Sequence, residues 1–121
     1  VESSLIAERK MSREMGAVNY FSGIVREGEE GKTIKAINYE AFDKMVLHQF
    51  DLILNEIEER WPIESIRLVH RTGTVKVNES SLWIEVISPH RTEAFEACQW
   101  LIDEMKKRVP IWKHPIFTKV D

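Results

Sequence analysis

The chain has one cysteine, Cys98, among its 121 residues. A lone thiol excludes an internal disulfide framework and suits a reducing cytoplasm, which is the expected location. No apolar run approaches the roughly 20 residues that a bilayer-spanning helix needs, so a transmembrane segment is not expected. The first residues, Val1-Glu2-Ser3-Ser4, lack the basic stretch and apolar core of a signal peptide. They also lack an initiator Met, so a trimmed start is expected. There is no internal repeat, no low-complexity linker, no Gly-rich phosphate motif and no nucleophile elbow. The four histidines, His48, His70, His90 and His114, are scattered without metal-ligand spacing. One Cys cannot complete a thiolate site, so neither a metal nor a bound cofactor is expected.

Acidic residues are missing from one stretch in particular. The formal net charge is -3, yet no Asp or Glu lies between Met105 and Lys119, where Lys106, Lys107, Arg108, Lys113 and Lys119 all fall. A basic pocket on an acidic protein suits a small anion or the acidic tail of a partner, not a general nucleic-acid surface. The apolar fraction of 43% and the length predict one soluble domain spanning residues 1–121 with a real core.

The pattern along the chain predicts β-β-α-β-β-β-α-β. Residues 1–15 read as a short helical or poorly ordered arm. Strands are predicted over Gly16–Val25 and Thr33–Phe42, paired with each other through the charged loop Gly28–Lys32. Asp43 is placed to cap a helix carrying Val46, Leu47, Phe50, Ile53, Leu54, Ile57 and Trp61 at helical spacing, stopped by Pro62. Strands follow at Ile66–His70, Thr74–Val77 and Leu82–Ile87, with Gly73 and Asn78-Glu79-Ser80 as turns. Thr92 is placed to cap the last helix, whose inner face carries Phe95, Cys98, Leu101, Ile102, Met105 and Val109. Pro110 ends that helix and a final extended segment follows. Strand pairs with short turns and two helices imply an α+β domain with a largely antiparallel sheet.

Lys106, four residues after Ile102, falls on the flank of the buried stripe, where its stem lies on apolar surface and its ammonium reaches a pocket rim. Read alone, it is more commonly a solvated lysine in a last helical turn, favoured by the helix dipole. Lys113 follows Trp112 in the extended segment; with Trp112 packed inward, Lys113 points the other way, since neighbours alternate. Held close, two ammonium groups repel, and either could serve as acid, base or nucleophile. His90-Arg91 sits at a helix start, where backbone N–H groups favour anions and Arg91 adds a planar fork suited to phosphate. Arg26 ends the first strand and means little by itself. Cys98, on the apolar stripe, reads as a core residue.

Several segments together resemble the large, catalytic subunit of molybdopterin synthase. They are Phe21-Ser22-Gly23-Ile24-Val25-Arg26, Tyr39-Glu40-Ala41, Arg60-Trp61-Pro62 and His70-Arg71-Thr72-Gly73. Ser88-Pro89-His90-Arg91 with Ala94-Phe95-Glu96-Ala97, and Lys106-Lys107-Arg108-Val109-Pro110-Ile111-Trp112-Lys113, complete the set. Each is a weak motif alone; in order, from about Gly16 to Phe117, they are specific. Pro89 departs from the family, which commonly has Ala there. The family chain also usually runs on past the Trp-Lys segment into a basic and aromatic tail, whereas this sequence ends at Asp121.

The resemblance implies an α/β hammerhead with a small additional antiparallel β subdomain. It implies transfer of sulfur from the C-terminal thiocarboxylate of a ubiquitin-like small subunit to cyclic pyranopterin monophosphate, which builds the dithiolene of molybdopterin. It implies a homodimer of large subunits within a heterotetramer. Lys106 and Lys113 match the family's catalytic lysines; Arg26, His90 and Arg91 match its substrate-phosphate and anion contacts. His90 and Arg91 are expected to reach the site from the neighbouring large subunit. Phe21 and Ile102 match positions lining the pocket. A reading of another class is a non-catalytic module that binds the C-terminal tail of a ubiquitin-like protein. A nucleic-acid-binding domain fits poorly with the acidic net charge and the few candidate exposed aromatics.

Overall fold

The computed structural model describes residues 2–6, 15–29 and 31–118. In chain order the elements are β1 (Glu2–Ile6), β2 (Ala17–Ile24), β3 (Gly28–Glu29), β4 (Lys32–Ala41) and α1 (Asp43–Arg60). They continue with β5 (Ser65–His70), β6 (Gly73–Lys76), β7 (Ser80–Ser88), α2 (Arg91–Arg108) and β8 (Ile111–Phe117). The strands make two antiparallel sheets. The larger has the order β1-β5-β7-β2; in the smaller, β4 pairs with β3, β6 and β8. This is an α+β fold.

Alternation explains the larger sheet. Ile66 and Leu68 in β5, and Leu82, Ile84 and Val86 in β7, all turn to one face and are buried there. Both helices cover that face. On α1 the buried stripe is Val46, Phe50, Ile53, Leu54 and Ile57; on α2 it is Ala94, Ala97, Cys98, Leu101 and Met105. Together these side chains form one core. Burying each large one contributes about 1.5–3 kcal/mol. A second, smaller core of Val25, Ile34, Ile37, Tyr39 and Val75 lies against the smaller sheet, and Ile111 packs against both cores.

The structure corrects several sequence expectations. Residues 2–6 of the N-terminal arm form strand β1 on β5, Glu2 opposite Val69. Residues 7–14, like Lys119, lie outside the described residues. β2 does not pair with β4. It runs along β7 from Ala17↔Ser88 to Ile24↔Ser80, while the charged loop contains β3, which closes a hairpin with β4 alone. Gly31, at φ 75°, supplies the left-handed residue of that hairpin. Apolar pattern identifies a strand but not its partner, and here the partner is about sixty residues away.

Neither predicted cap caps. Phe42 and His90 occupy the N-cap positions without side-chain hydrogen bonds, so Asp43 and Thr92 already lie inside their helices. Asp43 and Glu93 favour their helix starts through the backbone dipole instead. Phe95 is 59% exposed, not on the inner face. Ala94 and Ala97 take that place and let α2 approach the sheet closely. Helix α1 does stop ahead of Pro62, at the C-cap Trp61.

Candidate functional site

A cavity of about 640 Å³ opens where the two sheets meet the last turns of α2. The larger sheet contributes the end of β2 from Phe21, together with His70, Ser81 and Leu82. Ile37, Tyr39, Ile111 and Lys113 come from the smaller sheet, and Ile102, Met105 and Lys106 from α2. Arg26 stands just past the end of β2, on the same wall. Five of the seven predicted site residues, Phe21, Arg26, Ile102, Lys106 and Lys113, therefore meet at one cavity.

Local structure accounts for each placement. Ile102 is one residue beyond the buried Leu101, on the flank of the α2 stripe, and Lys106 lies one turn further on. Lys113 stands opposite Tyr39 across the β4–β8 ladder. Trp112 points to the other side, where its ring meets Phe42 edge to face at 5.4 Å. The two neighbours do alternate, but in the opposite sense to a Trp112 packed inward: Trp112 is 44% exposed and Lys113 lines the cavity. An extra residue in β4 between Ile34 and Ala36 shifts the register, so that Ile34, Ile37 and Tyr39 can all face inward.

The acid-free stretch divides into two sets. Arg108 donates to Glu56 of α1 and lies 3.9 Å from Glu104; Lys107 pairs with Glu104 at 3.7 Å. His114 sits 3.0 Å from Glu40. Among the described residues no carboxylate pairs with Lys106 or Lys113. The first set fastens α2 and β8 to their neighbours, with exposed pairs worth about 0–1 kcal/mol each. The second set leaves two cations at the cavity, beside Arg26. Among the described residues, no Asp, Glu or Cys lines it. Such a lining can hold a phosphate or a carboxylate and stabilise negative charge developing on a bound acyl group.

His90 and Arg91 do not line this cavity. They stand exposed at the start of α2, and Lys106 stands near its end. Fifteen residues of helix separate Arg91 from Lys106, about 22 Å at 1.5 Å per residue. Within one chain these residues do not form one site.

Sequence reasoning did not single out His70 or Tyr39 as cavity residues. His70 is 6% exposed, and Arg71 accepts a hydrogen bond from its Nδ1 at 2.7 Å. The edge of the Tyr39–His70 ring pair is set at a centroid distance of 5.1 Å. Burial pushes the His70 pKa down, and the charge of Lys113 acts the same way, against the raising effect of the Arg71 carbonyl. A signal existed: His70 continues the inward run Ile66, Leu68, so a polar side chain is in phase with the core. Cys98 is buried, as read from sequence, and burial raises its thiol pKa. Among the described residues no group of three His, Cys, Asp or Glu could hold a metal ion, and no helix is long and apolar enough to cross a membrane.

Residues 1–108 match the family model described as MoaE protein. The chain is 40% identical over 105 residues to the molybdopterin synthase catalytic subunit of Pyrococcus abyssi, covering 87% of this chain and 71% of that one. It is 46% identical over 99 residues to catalytic subunit 1 of Aedes aegypti, covering 81% of this chain and 64% of that one. It spans only 35% of the Drosophila virilis relative. A solved molybdopterin synthase from Staphylococcus aureus superposes with a TM-score of 0.83 at 35% identity, covering 91% of this chain and 80% of that one. A molybdopterin cofactor biosynthesis protein E from Burkholderia multivorans superposes with a TM-score of 0.73 at 31% identity, over 88% and 73% of the two chains. With a family match over most of its length and relatives that agree in sequence and fold, this chain belongs to the MoaE family of molybdopterin synthase catalytic subunits.

Proposed function

We propose that the chain is a sulfurtransferase. It takes sulfur from the C-terminal thiocarboxylate of a ubiquitin-like small subunit and places it on cyclic pyranopterin monophosphate, forming the molybdopterin dithiolene. The observation that carries this reading is the convergence of Lys106, Lys113 and Arg26 on a cavity that, among the described residues, no carboxylate lines. An extended tail ending in a negative acyl group and a cyclic phosphate are both anions, and the three cations suit both. In this reading Lys106 and Lys113 are the catalytic pair. Arg26 contacts the phosphate, and Phe21 and Ile102 form apolar walls that keep the donor tail dry.

His90 and Arg91 enter from a second copy of the chain. The helical separation from Lys106 supports this, because a residue about 22 Å along the same helix cannot serve its own cavity. The working assembly is a homodimer of large subunits carrying two small subunits, and it acts in the cytoplasm on a pterin and without nucleic acid.

The test mixes the chain with thiocarboxylated small subunit and cyclic pyranopterin monophosphate and follows the oxidised dithiolene derivative by its fluorescence. Product that depends on this chain supports the enzyme. Bound small subunit without product points to the tail-binding module instead.

A further inference from the structure

His70 has a fixed ring. A carbonyl oxygen only accepts, so the 2.7 Å contact with Arg71 puts the proton on Nδ1. In the neutral imidazole the lone pair is then on Nε2. Tyr39 holds the ring edge to face, and Tyr39 is itself the cross-strand partner of Lys113. His70, Tyr39 and Lys113 all line the cavity. Among the described residues that line the cavity, imidazole is the side chain whose ordinary titration lies nearest neutrality.

Sulfur transfer from an acyl donor to carbon poses a chemical requirement. Once the sulfur has bonded to the substrate carbon, it still carries the acyl group, and the donor tail and the substrate are joined as a thioester. Completion requires that acyl C–S bond to break. Water adds its oxygen to the acyl carbon, the C–S electron pair leaves on sulfur as a thiolate, and the donor tail departs as a carboxylate. Nothing is oxidised or reduced; the water gives up two protons, one to a base and from there to the thiolate, the other to solvent as the new carboxylic acid ionises.

We propose that His70 is the general base of this hydrolytic step, its Nε2 taking the proton from the attacking water and passing it to the departing thiolate. The proposal rests on the sulfur-transfer reading above. Lys113, on the same wall, would balance the negative charge on the acyl oxygen as water adds. Burial and the Lys113 charge hold the ring below the ordinary histidine value of about 6.5, which keeps it neutral and basic at pH 7. Among the described residues, the other charged and titratable groups that line the cavity are Lys113 from β8, Tyr39 from β4, Lys106 from α2 and Arg26.

The experiment is a single-turnover reaction with thiocarboxylated small subunit and cyclic pyranopterin monophosphate, quenched and read by intact mass. The quantity followed is the conjugate of small subunit and pterin. His70→Asn keeps an amide near the Nδ1 position and removes the Nε2 acceptor. It should slow conjugate decay by about a hundredfold or more while changing conjugate formation only a few-fold. Decay at the wild-type rate in this variant overturns the proposal. In the wild-type protein the decay rate should rise with pH to a plateau, with a midpoint below about 6.5. A rate that keeps climbing above about pH 6.5 without reaching a plateau overturns it regardless of how the variant folds. If the wild-type protein forms neither conjugate nor dithiolene, the sulfur-transfer reading itself fails and takes this proposal with it.

Discussion

Lys113 and Tyr39 face each other across the β4–β8 ladder, and that pairing brings a cation from the last strand to the wall that carries His70. Lys113→Ala should therefore lower dithiolene formation by about a hundredfold or more, the size of effect expected for losing one positioned charge at a reacting acyl group. The fold and small-subunit binding should be intact by circular dichroism and calorimetry. Binding that weakens in parallel with activity would assign Lys113 to docking.

Arg91→Ala should raise the KM for cyclic pyranopterin monophosphate roughly ten- to a hundredfold, since a charge-assisted hydrogen bond is worth about 1.5–3 kcal/mol. Mixing this variant with Lys113→Ala separates the two arrangements of the site. If Arg91 serves the neighbouring copy, each mixed dimer has one complete site, and about a quarter of wild-type activity returns. Activity that stays at the level of the separate variants would place both residues in one chain's site.

Gly16→Ala should destabilise the protein by about 1–3 kcal/mol, because the added Cβ meets the Pro89 carbonyl oxygen at 2.4 Å and backbone cannot rotate away. The same change presses on the turn that leads into His90 and Arg91. Urea unfolding measures the loss; an unchanged midpoint would mean the β2 start is free to shift.

Cys98 should resist alkylation in the folded protein. It is 3% exposed and its thiol pKa is raised by burial, so little thiolate forms near neutral pH. Labelling by iodoacetamide at pH 7.5 should be at least about a hundredfold slower than in unfolding urea. Comparable rates would mean that α2 opens readily from the sheet.

His70 also predicts a pH dependence of stability. Its folded pKa is lowered, so below about 6.5 the unfolded chain binds the proton more readily. Its contribution is full above the unfolded value and declines as pH falls toward the folded value. The stability advantage of wild type over His70→Asn should thus be smaller at pH 5.5 than at pH 7.5. A difference that is constant across that range would contradict the sign.

Much of the fold was legible locally. Val46, Phe50, Ile53 and Ile57 announce α1 by spacing alone, and Leu82, Ile84 and Val86 announce β7 by alternation. What failed was nonlocal or chemically faint. Glu2–Ile6 has no alternation and becomes a strand because β5 offers an edge. Ala94 and Ala97 carry too little apolar signal to outvote Phe95, although small side chains are what a close helix–sheet approach requires. At the site, the basic run pointed to Lys106 and Lys113. Part of what sets Lys107 and Arg108 apart is local, since Glu104 lies three and four residues before them on the same helix, whereas Glu56 of α1 reaches Arg108 only in the folded chain.

Ile111 touches both hydrophobic cores, and the cavity takes its walls from both sheets. A molecule lodged there would act as a bolt through a hinge. Filling the cavity and locking the smaller sheet onto the larger become one event, so amide protons in β4, β6 and β8 should exchange more slowly when the cavity is occupied, well beyond the atoms that touch the guest.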